Sequence, residues 1–306
     1  MSKSISSAKK QKLIFYISMA ALPILQFIVF YVYVNIRSFT MAFQGFNRGT
    51  GKFYFVGFEN FVKLFSDFRT NPDMSFSLVN SLELFLWTFV FGSVLAIFFS
   101  YYIYKKHFLS GFFKIILYTP HIISSVVFVI LYKYFVDIGV KEIAELFGKE
   151  MRLGLLSDKS NMGTVKATVM FFSIWIGFGT QVLLYSGAMS GINQSVIESG
   201  KLDGITPMKE LWYIVIPLVW STFETFMVVS VMGLFTNQMS LFTFFDANAE
   251  PQLYTFGYYL YMKVYSATTA IDYPYLSAMG LLLTAVAVPL TLFTKWALGK
   301  FGPKTQ

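Results

Sequence analysis

Few residues in this chain of 306 are equipped for covalent or acid–base chemistry. There is no cysteine and there are two histidines, His107 and His121, so disulfide frameworks, thiolate zinc sites, cysteine nucleophiles and iron–sulfur clusters are excluded. His107, next to Lys106, reads as a residue at the end of an apolar run, and His121, after Pro120, reads as a cap or kink rather than a metal ligand. Glu83 and Glu224 lie inside apolar runs, where a carboxylate costs on the order of 2.5–3.5 kcal/mol at mid-depth of a bilayer unless it is paired or wet. They are far apart in sequence and offer no acid pair. Gly49-Thr50-Gly51-Lys52 imitates the end of a phosphate-binding loop, but the first glycine is missing and Phe53 follows the lysine. No catalytic residue and no metal site is expected.

The elements that must carry these residues are set by composition. The chain is 56% hydrophobic, 20% aromatic and only 13% charged, with a mean hydropathy of +0.59. A soluble domain needs about 25% charged residues to cover itself, so the solvent is a lipid bilayer. Crossing about 30 Å of hydrocarbon takes roughly 20 apolar residues as a helix. Six runs satisfy this, at 13–36, 78–104, 111–136, 165–188, 213–236 and 275–294. Pro23, Gly92, Pro120, Gly177, Gly179, Pro217 and Pro289 fall inside them, which membrane helices tolerate. The alternation of a membrane barrel is absent.

Lys3, Lys9, Lys10 and Lys12 precede the first run, as in a signal peptide, but its apolar core is too long and no small-x-small cleavage site closes it. It is expected to stay as an anchor. Basic residues are denser in 1–12, 105–114, 189–212 and 295–306 than in 37–77, 133–166 and 239–273, with Lys9-Lys10 and Lys105-Lys106 beside membrane ends. The positive-inside bias therefore puts both termini in the cytoplasm. The net charge of +8 is topological and implies no nucleic acid. Trp87, Trp212 and Trp296 lie near run ends, as interfacial anchors do.

One cytoplasmic segment is not a plain linker. Residues 191–220 read GINQSVIESGKLDGITPMKELWYIVIPLVW. Two helix-forming pieces, 194–202 and 207–212, flank a turn at Asp203-Gly204, where glycine supplies the needed backbone freedom. Pro207 suits the first turn of a helix. Ile197, Leu202, Ile205, Met208 and Leu211 leave apolar surface outside the membrane, which means either a fold-back contact or a partner.

Glu198-Ser199-Gly200, then Gly204, then Ile214 and Ile216-Pro217, resembles the EAA loop of permease subunits in binding-protein-dependent ABC importers. Ser199 and Gly200 stand where that pattern has alanines, and Ile216 where it has leucine. Residues 55–61 (Phe-Val-Gly-Phe-Glu-Asn-Phe), Asn80-Ser81-Leu82, residues 118–124 and Ser277-Ala278-Met279 are similar to MalF-like sugar permeases. The region 246–251, Asp-Ala-Asn-Ala-Glu-Pro, departs from the Gly-Gly-Gly-Pro turn that such permeases often carry.

The resemblance implies an all-α polytopic membrane protein with six transmembrane helices in the type I ABC importer permease fold. A cytoplasmic tail 1–12 would precede a permease domain 13–298 with a coupling loop at 189–212, and a tail 299–306 would follow. Glu198, Ser199, Gly200, Asp203, Gly204, Ile205, Met208, Leu211 and Pro217 would form the ATPase-coupling loop. In it Glu198 would orient the loop, Gly204 make the turn, and Ile205, Met208 and Leu211 act as apolar anchors. Solute-path candidates are Gln181, Tyr185, Glu224, Asn237 and Gln238, because amides beside aromatics suit sugar hydroxyls and C–H faces. The implied partners are a second, non-identical permease, two ATP-binding cassette ATPases that hold the ATP and magnesium, and an extracytoplasmic solute-binding protein. No cofactor of its own is expected. The setting is a prokaryotic cell membrane and the solute an oligosaccharide or similar sugar, with glycerol phosphate as the alternative. A membrane enzyme or a passive channel has less to support it, since neither needs a coupling loop.

Overall fold

The computed structural model describes residues 2–303, with side chains from Lys9 to Pro303. The side chain of Lys3 and residues 304–306 of the expected C-terminal tail lie outside the described residues. Four helices are long and apolar enough to cross a bilayer unbroken: Lys9–Met41, Pro72–Tyr104, Met162–Ser190 and Asp272–Phe301. Two bent pairs, Ser110–Ile122 with Ser125–Leu146 and Pro207–Leu218 with Trp220–Met232, supply the third and fifth spans, so the six spans follow in the order expected. The expected tail 1–12 is not a separate element, because helix begins at Ser2 and runs on into the first span.

The third and fifth runs are not the straight helices that their hydropathy predicts. The third turns through 108° between Ile122 and Ser125, where Ile123 is extended at φ −81°, ψ 144°. The fifth turns through 69° at Val219 and its helix ends at Met232, four residues before the apolar run does. Pro120 and Pro217 each remove a backbone donor just before these breaks. His121 stands at the first break and bonds across to the fourth span, with Nε2 at 2.9 Å from the Ile176 carbonyl and 2.9 Å from Thr180 Oγ1. The two helices approach closely there, since a Cβ on Gly179 would run into the Leu117 carbonyl.

The chain divides into two compact units, one of residues up to Asp67 with Lys263–Leu282, the other of Phe68–Met262 with Leu283 onward. In the first unit the first span exposes its apolar side chains, Leu22 and Phe30 among them. A helix apolar all round needs hydrocarbon or a neighbouring helix about it. A hairpin of β1 (Gln44–Asn47) and β2 (Lys52–Phe55) follows. The phosphate-loop lookalike is its turn: Asn47 Oδ1 accepts from the Gly49 and Thr50 amides at 2.8 and 3.2 Å, and Gly51 takes φ +65°. Residues 55–61 have a bracing task. Asn60 donates to the carbonyls of Ala42 (2.9 Å) and Gln44 (2.8 Å), while Phe43 packs on Phe58 and Phe61.

The second unit holds two apolar cores. One gathers Tyr132, Phe172, Phe244, Leu253 and Tyr258, the other Phe178, Tyr185, Met189, Ile197, Leu211 and Val215. Polar joints hold the long connections. The Asp137 carboxylate accepts from the Leu156 amide (2.8 Å), the Ser157 amide (3.1 Å) and the Ser157 hydroxyl (2.9 Å). Glu83 is ion-paired with Lys166, which offsets its placement in an apolar run. Residues 246–253 form two short turns tied by Tyr258 Oη donating to the Asp246 carbonyl (2.7 Å) and by the Lys159–Glu250 pair (2.7 Å). Burial pushes the Tyr258 phenol up to about 12, so it stays a donor at neutral pH.

The second span starts on a strong helix signal, with Asn71 capping Asp73 at 3.0 Å and Pro72 in the first turn. Its Asn80 and Ser81 then hold the segment 252–256. Asn80 Nδ2 donates to the carbonyls of Gln252 (2.7 Å) and Tyr254 (2.9 Å), and Ser81 Oγ accepts from the Phe256 amide (2.8 Å). Asn80→Ala leaves two carbonyls without their donor and should destabilise the protein by about 1–3 kcal/mol. A thermal scan in detergent, with limited proteolysis of the 246–256 segment, should show a lower midpoint and faster cleavage. A midpoint equal to that of the unmodified protein would contradict this role.

Candidate functional site

The segment between the fourth and fifth spans is a helix–turn–helix. Asn193 accepts from the Ser195 amide (3.0 Å) and starts the helix Gln194–Leu202. The chain closes this helix at Gly204, at φ +72°, with the Gly204 amide on Lys201 O (3.0 Å) and the Ile205 amide on Gly200 O (3.1 Å). Only glycine takes that conformation without steric cost. Asp203 is exposed beside it, and Pro207 opens the next helix.

The residues expected in the coupling loop divide into an inner and an outer set. Gly200 is buried, and a Cβ there would lie 2.7 Å from Ile214 Cδ1, so any side chain would displace the end of that isoleucine where the second helix crosses the first. Ile197 is 2% and Leu211 1% exposed. Leu211 therefore anchors the loop to its own chain, and its expected role as an apolar anchor for a partner is corrected: a side chain that buried offers no surface. Ile205 and Pro217 are half-buried. The outer set comprises Glu198, Ser199, Asp203 and Met208, together with Leu202, which is 89% exposed. Glu198 accepts from Gln194 Nε2 at 3.3 Å, and Ser199 Oγ donates back to the Ser195 carbonyl at 2.9 Å.

Sequence reasoning missed the clamp under this loop. Glu210, 3% exposed, is ion-paired with Lys105 at the end of the second span. The Lys105 ammonium also lies over the rings of Tyr101 (5.3 Å) and Tyr104 (5.5 Å). Tyr101 Oη donates to the Pro207 carbonyl at 3.0 Å. The available signal was a single carboxylate in the largely apolar stretch 205–220, with a lysine pair ending the second span.

A cavity of about 280 Å³ opens between the second, fourth and fifth spans. It draws Leu84 from one apolar core and Phe178 from the other. Gln181 and Asn237 line it together, joined by the hydroxyls of Ser81, Thr88, Ser173 and Ser230, which the sequence did not single out. Thr88 and Gly92 belong to a π-helical turn, Thr88–Gly92, the kind of irregularity that often marks functional sites. The other three solute-path candidates lie elsewhere. Tyr185 is fully buried in the second core against Phe226, ring centroids 5.2 Å apart. Glu224 is half-buried near Gly299 of the sixth span, and Gln238 sits in the turns after the fifth. Among the described residues no three His, Asp or Glu side chains gather as a metal site requires.

Comparison with known proteins places this architecture. The family described as the inner membrane component of binding-protein-dependent transport systems matches residues 88–306. Protein LplB of Bacillus subtilis is 26% identical over 92% of this chain and 87% of its own. The glucose import system permease protein GlcT of Saccharolobus solfataricus is 25% identical over 87% of this chain and 92% of its own. The fold matches a chain of a bacterial ABC transporter that imports the acidic polysaccharide alginate, with a TM-score of 0.77, 20% identity, and 97% and 99% of the two chains covered. A membrane chain whose fourth and fifth spans are joined by a clamped helical loop is thus a member of the family of inner membrane components of binding-protein-dependent transport systems.

Proposed function

We propose that this chain is a non-catalytic permease subunit of an ABC importer and forms one wall of the path for an oligosaccharide or similar sugar. An external binding protein delivers the solute, and two partner ATPases drive its passage through the loop at 189–212. The reading carries a second, non-identical permease as the other wall and both termini in the cytoplasm.

The observation that carries it is the way the loop is held. It runs from the end of the fourth span into the fifth, and Lys105–Glu210, Tyr101–Pro207 and buried Leu211 lock it to the end of the second. Those three spans line the cavity. A pull on the loop is therefore a pull on the cavity walls. Leu202 and Met208 offer apolar contact to an ATPase, with Glu198 and Asp203 as polar contacts at its rim. Closing of the ATPases on ATP would bias the membrane part between two arrangements through differential contacts at this loop. The solute class is supported by the sugar named for GlcT and by a cavity of amides, hydroxyls and aromatic faces.

Gly204→Val places a β-branched residue at a left-handed position and should uncouple transport. In a reconstituted complex, solute-stimulated ATP hydrolysis should fall several-fold while the subunits still co-purify. Unchanged coupling in an intact complex would refute the lever. Lys105→Met leaves Glu210 buried without its cation, at a cost on the order of 3–5 kcal/mol. The double variant Lys105→Met, Glu210→Leu should recover much of that loss, as a double-mutant cycle on thermal stability would read. The purified chain alone should hydrolyse no ATP, and activity above a mock preparation would count against the non-catalytic assignment.

A further inference from the structure

We propose that the cavity selects an uncharged, hydroxyl-rich solute and turns away uronates and other anions, with Gln181 as a specificity-determining hydrogen-bond acceptor. This rests on the reading of the chain as a sugar permease and narrows it.

The first support is charge. No lysine, arginine, histidine or carboxylate lines the cavity. Three lysines of the second, third and fourth spans have other partners: Lys105 with Glu210, Lys133 with the Phe244 carbonyl at 3.0 Å, and Lys166 with Glu83. An anion entering here would lose its hydration and meet no positive group, which is costly for any unpaired charge.

The second is hydrogen-bond polarity. Thr88 commits its hydroxyl proton to the Leu84 carbonyl (2.6 Å) and Ser173 commits its own to Val169 (3.1 Å). Each therefore presents lone pairs rather than a donor. Gln181 Oε1 is buried and has no hydrogen-bond partner among the described residues. Asn237 Oδ1 already accepts from the Met239 amide (2.8 Å), so what Asn237 has left is its amide nitrogen. This orphaned acceptor on the wall, Gln181 Oε1, calls for a ligand that donates. Sugar hydroxyls donate and accept, and so fit both Gln181 and Asn237. A carboxylate accepts only, so it can use the Asn237 amide nitrogen but leaves Gln181 Oε1 without a donor. Phe85 and Phe178 supply apolar faces for the C–H side of a sugar ring.

The test uses proteoliposomes holding the complete transporter with its ATPases and binding protein. They are supplied with two labelled pools of matched length: neutral oligosaccharides from hydrolysed glucans, mannans and galactans, and oligouronates. The neutral pool should enter at least about tenfold faster, the size expected from one or two unmatched buried hydrogen bonds. Gln181→Leu should lower neutral uptake by roughly tenfold, while Gln181→Asn, which keeps an uncharged acceptor one methylene shorter, should retain more of it. Ser230→Lys, which adds a cation to the wall, should narrow the preference for the neutral pool. The ratio of two pools in one preparation cancels differences in assembly. Oligouronate uptake equal to or above neutral uptake, or a ratio unmoved by Ser230→Lys, overturns the proposal while leaving a sugar permease standing. Uptake of neither pool, with ATP hydrolysis proceeding, overturns both.

Discussion

The ion pair between Lys105 and Glu210 is the joint on which the functional architecture depends. Two charges taken out of water are held only by good mutual geometry and further contacts, so such a pair tolerates few alternative placements of the elements that carry it. Here the tyrosine rings beside Lys105 and the Tyr101–Pro207 hydrogen bond supply those contacts. The result is that a loop outside the membrane and the end of a membrane helix behave as one piece. Apolar packing of Ile197 and Leu211 adds adhesion but no direction, whereas the ion pair and the hydrogen bond fix register.

A second constraint acts inside the membrane, where every backbone donor and acceptor needs a partner. The helices nevertheless break at Ile123-Ser124 and at Val219. The first break lies two residues from His121, whose ring bridges to the fourth span, and the second adjoins Trp220, whose indole donates to the Leu298 carbonyl at 3.4 Å. Val219 is 3% exposed, so the second break is covered by other helices, whereas the first, with Ile122 and Ser124 exposed, is met on one side by the His121 bridge. The π-helical turn at Thr88–Gly92 presents Thr88 and Gly92 to the cavity, while its Val90 and Phe91 are exposed.

Hydropathy made the six spans legible because a run of some 20 apolar residues is a sufficient signal for crossing. It did not reveal the 108° and 69° bends, since a proline tells where a helix is weakened and not how far it turns. The helix–turn–helix at 194–212 was readable because Gly204 and Pro207 have few other uses at that spacing. Which of its apolar faces points inward was not readable: Leu211 and Met208 are equally apolar in sequence, and only the crossing at Gly200 decides that the first is buried. The cavity was half legible. Gln181 and Asn237 stood out as amides, while Ser81, Thr88, Ser173 and Ser230 did not, because a hydroxyl in a membrane helix usually satisfies itself on its own backbone.

Asn80 grips the loop after the fifth span through the carbonyls of Gln252 and Tyr254, and Ser81 takes the amide of Phe256. Both read main chain, which every residue type but proline supplies in full. Apart from Glu250, paired with Lys159, and buried Ala249, Leu253 and Phe256, the segment's side chains are therefore released from the duty of holding it in place. A loop that reads Asp246-Ala247-Asn248-Ala249-Glu250-Pro251 in place of a glycine-rich turn loses nothing of its mooring. Evolutionary freedom on one side of the joint is underwritten by two small polar residues on the other.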